Sequence, residues 1–308
     1  MLIKRLILTL TFVYISELSF SQKCGIVSDN HTKAGIAYAT ISHINKSSGS
    51  ISDAKGQFCI QTQLSNSNTD SIIVSALGYE QRLLSLNDFL KSDTVFLREK
   101  NVLLEEVRVK SRKNKTIDYG TFHKRWILYQ ASYNPNSSTL TAVRVENYDN
   151  IEGIITNLHY RLSPKKSEFI KKYRLRCRLF KNGEDNKPSE DILNDNIIVE
   201  ATPEDKFINV DITSHNVSLH DKYVWIGIQT IGYIDKNDEY FAISDYQFGK
   251  SFYKKNDAKK VEKIMLISPS YMMSKDGVAK SKHLWSKSWS EIPPSKYNVP
   301  LFGITISY

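Results

Sequence analysis

No histidine in this chain is followed three residues later by glutamate, and no His-Glu-x-x-His run occurs among the seven histidines. The helix-borne zinc pairs of metallopeptidases are therefore absent. Gly-x-Ser-x-Gly is missing too, which removes the strand–turn–helix nucleophile of α/β-hydrolases. Gly249-Lys250-Ser251 resembles the end of a phosphate loop. The earlier glycine that would cradle the phosphate falls at Ser244, so the motif fails. No stretch after residue 21 holds enough consecutive apolar residues for a membrane-spanning helix. Asp235-Lys236-Asn237-Asp238-Glu239 alternates oxygen ligands, but it lacks the central glycine and distant bidentate glutamate of a calcium loop. It reads as a hairpin turn. His215 and His220 are five apart, a spacing that fits neither a helix face nor a strand face.

The three cysteines decide little by themselves. An oxidising compartment would permit a Cys24–Cys59 bridge, but only strand adjacency supplies the geometry. Cys177 lies in Tyr173-Arg174-Leu175-Arg176-Cys177-Arg178-Leu179. Period-two alternation puts Leu175, Cys177 and Leu179 on one face, where Cys177 reads as core. The three arginines point the other way.

The N-terminus carries an address. Lys4 and Arg5 precede a short apolar core, Leu6 to Ile15, and Ser19-Phe20-Ser21 offers small residues for cleavage. This is a secretory signal pattern, with the mature chain expected to begin near Gln22. Lipidation at Cys24 is not expected, because the small residue required just upstream is lacking. Formal net charge is +9, and the excess is densest over 99–115, where six bases meet three acids. Diffuse positive charge favours anionic surfaces. No nucleic-acid recognition motif accompanies it.

Short runs rich in Val, Ile, Tyr and Phe follow one another along the chain, bounded by Gly, Pro, Asn, Asp and Ser. This is the signature of an all-β chain. In the C-terminal half the expected strands are Thr141–Tyr148, Asn157–Leu162, Tyr173–Phe180, Asn196–Val199, Phe207–Ile212, Val224–Ile231 and Phe302–Ser307. Asn182-Gly183 is a turn signal. Prolines are expected between the runs. Gly120–Gln130 reads equally as a helical turn or a strand.

The N-terminal quarter is the most specific part. It reads Gly25-Ile26-Val27-Ser28-Asp29, then Gly35-Ile36-Ala37-Tyr38-Ala39-Thr40-Ile41, then Gly49 to Ile60 with Asp53-Ala54-Lys55-Gly56 as a tight turn, then Ser71 to Tyr79. This resembles the carboxypeptidase-like regulatory domain of Bacteroidota envelope proteins. The resemblance implies a small, non-catalytic, prealbumin-like β-sandwich. Leu104-Glu105-Glu106-Val107-Arg108-Val109 is similar to the segment that follows this module in TonB-dependent outer-membrane receptors. The remaining chain is too short for a receptor's plug and barrel.

The expectation is thus a signal peptide (1–21), a regulatory-type sandwich (22–98), a charged linker and connecting segment (99–139), and a larger jelly-roll-like β-sandwich (140–308). The expected function is non-catalytic: an exported periplasmic, outer-membrane-associated or surface protein that binds a glycan or an envelope protein, with no cofactor and no metal. Two alternatives stay open, a glycan hydrolase with dispersed carboxylates and a peripheral subunit of a TonB-dependent transporter. The candidate ligand platform is aromatic. Tyr223 and Trp225 share a strand face with Gln229, and Trp285 and Trp289 share one with Lys287. Flat rings beside polar groups suit sugar stacking.

Overall fold

The computed structural model describes residues 21–44, 48–62, 70–100, 115–122, 139–163, 167–242, 253–255, 261–263, 268–269, 271–273, 278–283, 289–291 and 298–308. The expected signal core, Leu104–Val109 and Trp285 lie outside these residues. The chain is all-β, apart from one α-helix and short 3-10 turns among the described residues.

The N-terminal module is a two-sheet sandwich. Its strands are β1 (Ser21–Asp29), β2 (Thr40–His43), β3 (Ser48–Ile51), β4 (Gln57–Thr62), β5 (Ser71–Ser75), β6 (Arg82–Ser85) and β7 (Thr94–Leu97). One sheet has the order β4-β1-β7 and the other β3-β2-β5-β6. The alternating residues Val27, Ile41, Phe58, Ile60, Ile72, Val74 and Val95 face inward and close a core between them. A helix, α1 (Leu86–Lys91), departs from the pure-strand expectation. Ser85 makes it: its hydroxyl accepts from the Asp88 amide at 3.1 Å, and Phe89 drives into the core. Asp53 builds the expected turn, its carboxylate accepting from the amides of Lys55 and Gln57 at 2.8 Å each. Gly56 sits there at φ +81°, and a Cβ would lie 2.5 Å from the Val27 carbonyl oxygen. Cys24 and Cys59 face each other across β1 and β4 with Cα atoms 4.0 Å apart, and they are bridged.

The second sandwich begins earlier than residue 140. Its strands are β8 (Thr116–Gly120), β9 (Thr139–Glu146), β10 (Gly153–Ser163), β11 (Ile170–Asn182), β12 (Pro188–Asp191), β13 (Ile197–Ala201), β14 (Phe207–Asp211), β15 (Val217–Leu219), β16 (Tyr223–Asp235) and β17 (Tyr240–Ala242). Four short strands follow, β18 (Tyr253–Lys255), β19 (Val261–Lys263), β20 (Ser268–Pro269) and β21 (Tyr271–Met273). The last are β22 (Ala279–His283), β23 (Ser290–Glu291), β24 (Asn298–Pro300) and β25 (Phe302–Ser307). Strand β8 falls in the expected connecting segment, yet it pairs with β25 from Thr116↔Ser307 to Gly120↔Gly303. The chain's last strand supplies its partner, a long-range contact that no local pattern reveals.

One sheet runs β14-β10-β25-β8, and the other runs β12-β11-β16-β9-β22-β23. Their inner faces enclose Leu158, Tyr160, Leu175, Cys177, Leu179, Ile226, Ile228, Phe302 and Ile304. Asp235 to Glu239 makes the expected turn between β16 and β17. The Asp235 carboxylate accepts from the amides of Asn237 at 2.8 Å and Glu239 at 3.0 Å. Pro188, expected between strands, instead opens the edge strand β12, where a missing N–H is tolerated.

The two sandwiches touch. The Arg176 guanidinium donates to the Tyr38 carbonyl, and the Asn196 amide donates to the Ala37 carbonyl at 3.5 Å. Lys100 pairs with Glu190. Ile51, Tyr38 and Leu77 of the module pack against apolar residues of the larger sandwich.

Candidate functional site

The outer face of the larger sheet carries the polar and aromatic groups that the core cannot use. Strand pairing sets them in rows, because directly opposed residues share a face. The first row is Arg176 on β11, Gln229 on β16, Leu140 on β9 and Lys282 on β22. The second is Arg178, Gly227, Ala142 and Lys280. The third is Phe180, Trp225 and Arg144.

Leu140, Ala142, Phe180 and Trp225 form a small apolar cluster on this face, with Val278 and Trp289 against it. Trp289 meets Phe180 edge-on, ring centroids 5.6 Å apart. Trp225 is fully enclosed, and its indole N–H donates to the Asn182 side-chain oxygen at 2.9 Å. Its ring offers no open stacking face. Tyr223 is half-buried on the same face and lies under the Arg144 guanidinium, 4.1 Å from its ring centre. The structure therefore brings Tyr223, Trp225 and Trp289 onto one face, of which Tyr223 and Trp289 retain exposed area.

The polar half of the face had a weaker signal. Alternation did place Arg174, Arg176 and Arg178 opposite Cys177, and it grouped Gln229 with Trp225. It could not show that Arg176 lies beside Gln229 in one row with Lys282, because register between distant strands is a tertiary property. Arg176 is 3 % exposed and Gln229 is 1 % exposed. Among the described residues, Arg176 Nε and both side-chain polar atoms of Gln229 have no hydrogen-bond partner. Such buried, unpaired groups are costly, and each calls for an explanation.

The electrostatics are lopsided. Arg178 pairs with Asp191 through its Nε. Burial, then the adjacent Arg178, pushes the Arg176 guanidinium down to about 9, still charged at neutral pH. Burial, then Arg178, also lowers the Lys282 ammonium. Burial raises the Asp191 carboxyl against the pull of Arg178. Arg144, Arg176, Arg178, Lys280 and Lys282 share this face, and Asp191 is the carboxylate that pairs with Arg178 and acts on Arg176. At the near end, Arg174 lies over the Tyr240 ring and pairs with Glu200. Among the described residues, no group of three or more His, Cys, Asp or Glu side chains could hold a metal ion.

Residues 24–109 match the CarboxypepD_reg-like domain family. That family is a β-sandwich and is non-catalytic. The match takes in the N-terminal sandwich from Cys24 within β1 and runs past residue 98, in keeping with the Tyr79↔Glu99 bridge and the Lys100 amide bonded to the Gly78 carbonyl. No curated protein matches the chain. The CarboxypepD_reg-like module leans on the larger sandwich beside the polar end of the described face, through Tyr38 on Arg176.

Proposed function

We propose that this is an exported, non-catalytic binding or accessory protein of a bacterial envelope, with a glycan or a surface protein as its ligand. The observation that carries the reading is the CarboxypepD_reg-like module packed on a second β-sandwich, next to a face where aromatic rings border buried polar groups. Amphipathic rings beside hydrogen-bonding groups suit a sugar, which has apolar ring faces and polar edges. Export is supported by the charged, apolar and small-residue order of residues 1–21. The Cys24–Cys59 bridge supports it independently, since such bonds persist in oxidising compartments. Peripheral contact with the outer membrane fits the net positive charge.

The test is a glycan array probed with the mature protein, run beside a pulldown from the source cell envelope. Selective retention of a glycan class or an envelope protein is expected. Silence in both, or glycan cleavage by the purified protein, would contradict this function.

A further inference from the structure

We infer that the outer face of the larger sheet holds a site for a hydroxy-carboxylate of the kind found in a uronic acid, with Arg176, Gln229 and Lys282 as its recognition groups. The inference rests on the glycan-binding reading above and specifies its chemistry.

Three observations converge. The first is register. Arg176 and Gln229 are directly opposed on β11 and β16, and Lys282 lies in the same row one strand beyond Leu140. Opposed residues have Cβ atoms about 5 Å apart, so one small ligand group reaches both Arg176 and Gln229. The second is unmet hydrogen bonding. Among the described residues, Arg176 Nε and Gln229 Nε2 are donors without acceptors, and Gln229 Oε1 is an acceptor without a donor, on side chains that are almost wholly buried. The third is charge. Arg176, Arg178, Lys280 and Lys282 share the face, and Asp191, the carboxylate that acts on Arg176, already pairs with Arg178.

The ligand chemistry follows from that inventory. Two donors and surplus positive charge call for an anion, and the planar guanidinium fork matches a carboxylate. The free Gln229 oxygen calls for a hydroxyl on the same ligand. A sugar acid carries both groups close together. Lys282, at the far end of the row, and Trp289 are only half-buried. Trp289, edge-on to Phe180 of the third row, keeps part of its ring exposed on the same face, where a sugar could stack.

The experiment titrates the mature protein, disulfide intact, by calorimetry with tetragalacturonate, its methyl ester and the neutral galactose tetrasaccharide. Free galacturonate is a fourth arm. Saturable binding of the acid is expected, with the ester and neutral sugar at least about tenfold weaker, since a charge-assisted hydrogen bond is worth that much. Gln229→Leu and Lys282→Gln should each weaken the acid by a similar factor. Gln229→Leu should not lower the melting temperature, because it removes unpaired polar atoms. If that variant fails to fold, Lys282→Gln at its half-exposed position decides alone. Free galacturonate binding as tightly as the oligomer would support the site and identify the ligand as the monomer. Equal affinity for acid and ester, or acid binding indifferent to the folded variants, overturns the site while leaving glycan binding intact. No response to any of the four sugars also overturns it, and the glycan array then judges the broader function separately.

Discussion

The Arg176 guanidinium donates a hydrogen bond to the backbone carbonyl of Tyr38, 138 residues earlier in the chain and in the other sandwich. Tyr38 holds a left-handed backbone, φ +57°, which turns this stretch of chain at the module's edge. A charged donor from the larger sheet thus fixes a strained corner of the smaller sandwich. Arg176→Ala should cost about 1.5–3 kcal/mol, the range for hydrogen bonds to charged groups. Arg176→Met should cost less than Arg176→Ala, because it keeps packing volume and buries no charge. Urea unfolding of both variants measures this. An Arg176→Ala protein as stable as the parent would show that the contact contributes nothing.

The Cys24–Cys59 bridge closes a sequence separation of 35 between neighbouring strands. Replacing both cysteines with serine should lower stability by about 2–4 kcal/mol. Thiol counting gives a sharper check. Cys177 is fully enclosed, and burial pushes its thiol up to about 12. The native protein should therefore show no reactive thiol, and the unreduced protein should show one after denaturation. Three thiols without reductant would mean that no bridge forms.

Trp225 and Trp289 sit in one cluster but should respond differently to truncation. Trp225→Ala opens a cavity under the outer face and should cost about 3–5 kcal/mol. Trp225→Phe should cost less, mainly the hydrogen bond to Asn182, about 1 kcal/mol. Trp289→Ala removes a half-buried ring and should cost less than Trp225→Ala. Thermal unfolding ranks the three. A Trp289→Ala variant as crippled as Trp225→Ala would place Trp289 among the core residues and remove it from any ligand surface.

Acid should unfold the protein through specific carboxylates. Asp29 is held below its ordinary value first by the Thr32 amide, and also by the Thr32 hydroxyl and the His31 amide. Glu200 is lowered first by Lys172 and then by Arg174. A carboxylate more acidic when folded binds fewer protons there than in the unfolded chain. Its stabilisation is complete above the unfolded value and fades as pH falls through the folded one. The loss should begin near pH 4, where ordinary Asp and Glu titrate, and deepen below it. Asp29→Asn keeps an acceptor oxygen but cannot titrate, so its stability should fall less steeply with acid. Parallel pH curves for variant and parent would remove Asp29 from the account.

The sequence by itself determined the fold class, most strand positions and the turn chemistry. Tyr173–Phe180, Val224–Ile231 and Phe302–Ser307 were legible because a half-buried strand writes its burial as period-two alternation. Asp53–Gly56 and Asp235–Glu239 were legible because a side chain that bonds its own backbone, or a glycine that accepts positive φ, acts within a few residues. The N-terminal module was legible because several such local signals occur in a recognisable order. The face of each residue on a strand was equally local, which is why Cys177 and Arg176 could be set on opposite sides.

What tertiary structure alone decided is which strands lie beside one another. Strand β8 belongs to the larger sandwich only because β25, nearly two hundred residues later, pairs with it. Cys24 meets Cys59 only through the register of β1 on β4. Arg176, Gln229 and Lys282 come from three strands, and their shared row depends on β9 and β16 lying between β11 and β22. Each pairing depends on loop closure and long-range packing, and a one-residue slip would reverse every face. Local alternation fixes the side on which a residue points, and only the assembled sheet fixes which residue it points beside.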